Sequence, residues 1–178
     1  MWLAFVGALS AAGVISLVQA RRRALAQAPS ESAAELLVHV LRTPTSVRVA
    51  ETLRRARADS WEWKLADSIT SAVSAFDRVD AISVRVADLD RSLDVTRRWL
   101  PVCAHASLLV AVLLAVVGAL TERLPEGLAG GGLSALAALA ALGAERRFGE
   151  VEAAKRILVD RLVAALQDAA ATDSGPPE

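Results

Sequence analysis

The side chains that could do chemistry are few, and one of them sits where charge is expensive. His105 lies inside the uncharged run 99–121. An ionisable ring there is either a proton-handling site facing a bundle interior or a neutral ring that snorkels or hydrogen-bonds locally. Cys103, the single cysteine, excludes a disulfide within one chain and a cysteine-based zinc site, and its apolar neighbours point to inert packing. Ser107 and Ser134 carry hydroxyls able to hydrogen-bond between helices, and Gly118, Gly130, Gly131 and Gly132 permit close helix approach. His39 falls in a more polar helical stretch, where a surface or packed role is the default. No P-loop, GxGxxG fingerprint, HExxH, nucleophile elbow or CxxC occurs, so neither an enzyme, a cofactor nor a metal site is expected.

The elements that hold these residues follow from where charge is missing. The chain has 178 residues with 20 Lys+Arg against 20 Asp+Glu, but residues 1–20, 99–121 and 127–144 contain none of the 40. Such segregation argues against one soluble core, against disorder and, with no net basic face, against nucleic-acid binding. At about 1.5 Å per residue, helices of these lengths cover most or all of a hydrocarbon core of about 30 Å. The expected fold is an all-α integral membrane protein with three transmembrane helices and long helices extending into the cytoplasm. A cleaved signal peptide ending at Val18-Gln19-Ala20 is the alternative for the first run, but no basic n-region precedes it and Arg21, Arg22 and Arg23 follow it. For the Ala- and Gly-rich third run the alternative is a soluble helix. The short linker Thr121 to Glu126 and the following Arg146 and Arg147 favour a membrane hairpin.

Basic residues set the orientation. Only Arg123 of the 20 would lie outside with an external N-terminus, a cytoplasmic segment 21–98, spans at 99–121 and 127–144, and a cytoplasmic helix and tail at 145–178. In the cytoplasmic segment, Ser32 to Glu35 resembles a capping box opening a helix with Leu36, Leu37, Val40 and Leu41, ended by Thr43 to Ser46. A second helix should begin near Ser46 with Val47, Ala50 and Leu53 on its apolar side and Arg54, Arg55 and Arg57 solvated. From Leu65 a seam runs through Ile69, Ala72, Phe76, Val79, Ile82, Val86, Leu89, Leu93 and Thr96 to Leu100, which predicts one helix rising into the second span. Beyond the third span Val151, Ala154, Leu158, Leu162 and Ala165 extend a similar pattern, and Thr172 to Glu178 reads as a frayed tail.

This arrangement resembles the MotA/TolQ/ExbB proton-channel family in topology over most of the chain, and in sequence over residues 89–166. The likeness rests on Leu89, Leu93, Trp99-Leu100, the run Ala111 to Gly118, Gly127-Leu128-Ala129 and the long helix from Arg146. It implies a bacterial inner-membrane stator subunit, a homo-oligomer and by resemblance a pentamer, around a single-span TolR/ExbD/MotB-like partner, coupling an ion gradient to work. It also implies that the family's second-span threonine falls at Ala115, its third-span glutamate near Gly130 and its third-span threonine near Ala135 or Ser134. On that alignment most of the ion-path hydroxyls and the carboxylate are missing, which points to a degenerate path or to a non-conducting scaffold with a cytoplasmic docking segment.

Overall fold

The computed structural model describes residues 1–29 and 32–172. Among them the chain forms six α-helices, one 3-10 turn and no strand: α1 (Trp2–Gln27), α2 (Ser32–Arg42), α3 (Arg48–Arg55), α4 (Trp61–Ser71), α5 (Ala75–Leu120) and α6 (Leu124–Thr172). Three helices are long and apolar enough to cross a membrane, and they hold the three charge-free runs. The residues divide into two compact units.

The first unit comprises Met1–Ala24 and Leu93–Glu150, and so takes in α1 and the apolar parts of α5 and α6. Its packed layer is made of Val14, Leu100, Ala104, Ala138 and Ala141, with Leu17, Leu108, Leu142 and Phe148 against it. Alanine dominates this layer, and small side chains let the helices approach closely. Glu122, at φ 54°, makes the reversal between α5 and α6, where the Arg123 amide donates to the Gly118 carbonyl at 2.8 Å. α6 begins at Leu124, so the connection is shorter than the expected Thr121 to Glu126 linker.

The second unit holds α2 to α4 with the polar parts of α5 and α6. Leu37, Leu65, Ile69, Ile82, Leu162 and Leu166 form its core, an aliphatic one. Ser60 caps α4, accepting from the Trp63 amide at 3.2 Å. Arg48 reaches Asp168 at 2.8 Å, and Lys155 donates to the Pro29 carbonyl at 2.7 Å, where a cation complements the end of α1.

Several sequence expectations are corrected here. The seam does not run in one helix from Leu65: α4 ends at Ser71 and α5 starts at Ala75. Ser74 and Asp77 form a reciprocal cap across the break, the Asp77 amide donating to Ser74 Oγ and the Ser74 amide to Asp77 Oδ2, each at 3.1 Å. Phe76 and Val79, both assigned to the seam, are exposed, and burial resumes at Ile82, Leu89, Leu93 and Leu100. In α3 the inner side is Thr52 with Val49, Leu53 is half-buried, and Ala50, with Val47 just before the helix, faces outward. After the third apolar run, Val151 and Ala154 are exposed and Glu152 is buried instead, paired with Arg156 at 3.1 Å. Leu36, Leu37 and Val40 of α2 are buried as expected, but Leu41 is not. Ser32, expected to open α2 as its cap, is instead the first helical residue, and residues 30, 31 and 173–178 lie outside the described residues.

Candidate functional site: a three-helix hydroxyl cluster

Close approach of the apolar helices begins with glycine. A Cβ on Gly130 would stand 2.5 Å from the Leu3 carbonyl oxygen, and one on Gly7 would collide with the Gly130 backbone, so α1 and α6 touch main chain to main chain. Between α5 and α6 the same holds at Gly118, whose Cβ would lie 2.8 Å from Gly127 Cα, and at Gly131, 2.7 Å from the Ala111 carbonyl oxygen. Contacts this short leave no room for a methyl group.

Each apolar helix contributes a single serine to one cluster, one turn beyond Gly7 on α1 and Gly130 on α6, and one turn before Ala111 on α5. Ser107 Oγ lies 2.8 Å from Ser10 Oγ and 2.8 Å from Ser134 Oγ, and Ser134 Oγ donates to Ser10 Oγ at 3.0 Å. The hydroxyls also reach across to the facing backbone: Ser134 Oγ lies 2.9 Å from the Ser107 carbonyl oxygen, and Ser107 Oγ 3.3 Å from that of Ser134. Ser107 and Ser134 are buried. Three hydroxyls bring three protons, and this arrangement offers acceptors to all of them without leaving the cluster. Chemically it fastens α1, α5 and α6 at one level. It contains no group that titrates near neutral pH.

Arg21 provides a second fastening. Its guanidinium is fully buried and donates through Nη1 to the Leu93 carbonyl at 2.7 Å and to Thr96 Oγ1 at 3.3 Å, tying the end of the first charge-free run to α5. Buried arginine is tolerated where fixed acceptors meet its planar fork.

The structure sorts the expected site residues plainly. Ser107, Ser134, Gly118, Gly130 and Gly131 lie in helix interfaces. Ala115 and Ala135 are half-buried. Gly132 faces away from the other helices of the chain, with nothing within 4 Å of a Cβ built there. His105 is exposed within the chain, its Nδ1 2.6 Å from the Pro101 carbonyl oxygen. Ser10 and Arg21 are the functional positions that sequence reasoning missed. A serine in an apolar run is unremarkable alone, and Arg21 read only as a topology signal.

Away from this cluster, the second unit has a cleft of about 600 Å³ lined by Arg57, Asp59, Glu62, Lys64, Arg85 and Asp88 among others, with both signs of charge mixed. Among the described residues no group of three His, Cys, Asp or Glu side chains is placed to hold a metal ion. The chain matches no protein-family model, no curated protein and no solved structure.

Proposed function

We propose that this chain is a stator-type membrane subunit with the topology of the MotA/TolQ/ExbB family. Copies of it enclose a single-span TolR/ExbD/MotB-like helix in a bacterial inner membrane. The observation that carries the reading is the length of α5 and α6, 46 and 49 residues, each joining an apolar run to a charged continuation. The charged part of α5 before residue 99 extends about 36 Å, and that of α6 after residue 144 about 42 Å, at about 1.5 Å per residue. In a stator-type subunit, helices of this kind join the membrane part of the chain to its cytoplasmic part. Electron microscopy of the detergent-extracted protein should find rings with a central cavity. Monomers without one would overturn the proposal.

A second reading, a scaffold that does not conduct, draws on one particular observation: the serine hydroxyls are satisfied by one another and by facing carbonyls, while positions 115 and 130 hold Ala and Gly. A proton crossing such a layer has no carboxylate to land on. Proton flux into liposomes, measured with and without the co-purified partner, separates the readings. Flux abolished by His105→Ala refutes the scaffold, and absence of flux in both preparations supports it.

A further inference from the structure

We propose that one end of the apolar three-helix unit is a binding collar for the phosphate headgroups of anionic phospholipids. The inference rests on the membrane-spanning reading of α1, α5 and α6 and is independent of the stator assembly.

The serine cluster supplies a ruler, because it fixes residues 10, 107 and 134 at one level. Counting at about 1.5 Å per residue, Arg22 and Arg23 lie about 18 to 20 Å along α1 from that level, and Arg146 and Arg147 the same distance along α6. Arg97 and Arg98 lie about 14 to 15 Å along α5, which runs the opposite way, so all three pairs fall at the same end. Half of a hydrocarbon core is about 15 Å. If the cluster sits at mid-depth, the six guanidinium groups reach the headgroup layer together. Trp99 stands beside them, 56% exposed, as an indole does at an interface.

Charge complementarity names the ligand. All six of these arginines are exposed. The carboxylates on the same stretches are fewer: Asp94, which pairs with Arg98 at 2.8 Å, Glu145 and Glu150. With Arg21 included, seven arginines meet three carboxylates, leaving the collar strongly positive. Every basic residue in it is arginine rather than lysine. A guanidinium stays ionised and offers two parallel N–H donors to a phosphate diester, which suits a headgroup held in the bilayer plane. Burial of Arg21 against Leu93 and Thr96 fixes the α1 contribution to the α5 contribution.

The full-length protein, reconstituted in vesicles of equimolar phosphatidylglycerol and phosphatidylcholine, is extracted gently and its retained lipids are identified by native mass spectrometry. Wild type should retain phosphatidylglycerol about fivefold over the input ratio, the scale expected of about one effective arginine contact per lipid. The variant R22Q/R23Q/R146Q/R147Q should fall to near parity, and raising salt from about 50 to about 500 mM should diminish the wild-type enrichment. Added inorganic phosphate should leave the retained lipid in place. Equal retention of both lipids by wild type, or unchanged enrichment in the variant, overturns the proposal, as does displacement of the lipid by free phosphate. If the fourfold variant fails to extract as folded protein, R22Q/R23Q and R146Q/R147Q are tested separately, each expected to lose part of the enrichment. Enrichment in monomers would leave the collar standing while the stator proposal fails, so the two are separable.

Discussion

At the residue scale the serine cluster is worth testing one hydroxyl at a time. Ser107 and Ser134 each contact both other serines and the other's carbonyl, Ser134 at the shorter carbonyl distance. Ser134→Ala should lower the stability of the solubilised protein by about 0.6 to 1.7 kcal/mol, the range measured for interhelical hydrogen bonds in membranes. Ser10→Ala should cost less, because Ser107 and Ser134 keep their bonds to each other and to the facing carbonyls. Unfolding in detergent, followed by thiol trapping of Cys103, reads both. The pairing of Ser107 with Ser134 was legible because both stand in charge-free runs joined by a short hairpin. Ser10 was not, since its partner lies 124 residues away and nothing in the local sequence distinguishes it from Ser16.

Helices are held together here by what glycine lacks. Gly130 and Gly132 are two residues apart on α6, yet one faces the backbone of α1 and the other faces open space. Gly130→Ala should therefore destabilise the bundle by about 1 to 3 kcal/mol, as overpacking does, whereas Gly132→Ala should be neutral or slightly stabilising through helix propensity. Equilibrium unfolding of the two variants side by side decides it. The three apolar helices were legible because absence of charge over about 20 residues is a nearly unambiguous pattern. Their inward faces were less so. Heptad spacing continued through Ala72, Phe76 and Val79, but the cap made by Ser74 and Asp77 ends one helix and begins another there. A local bond pattern spanning four residues thus outweighed a periodicity of eleven positions, and its signal, serine followed three residues later by aspartate, was present in the sequence.

For the whole molecule, the decisive quantity is how little of each apolar run the chain covers by itself. In the apolar windows of α1, α5 and α6 the buried shares are 22%, 28% and 33%. Exposed side chains on these helices include Phe5, Leu9, Leu109, Leu113, Leu136 and Leu139. So much contiguous apolar surface requires lipid or further copies of the chain. Alkaline carbonate should therefore leave the protein in the membrane pellet and detergent should release it, and recovery in the carbonate supernatant would contradict a three-span molecule. The main-chain contact of Gly7 with Gly130 and the bond from Ser134 to Ser10 set one more condition, on biogenesis. The helix that meets the glycine face of α1 is encoded last among the apolar helices, with Ser134 124 residues downstream of Ser10. At about 5 to 20 residues per second of synthesis, the first helix waits about 6 to 25 s for the surface it is shaped to meet. On the membrane-spanning reading, that face of α1 is left to the insertion machinery or to lipid until α6 is made.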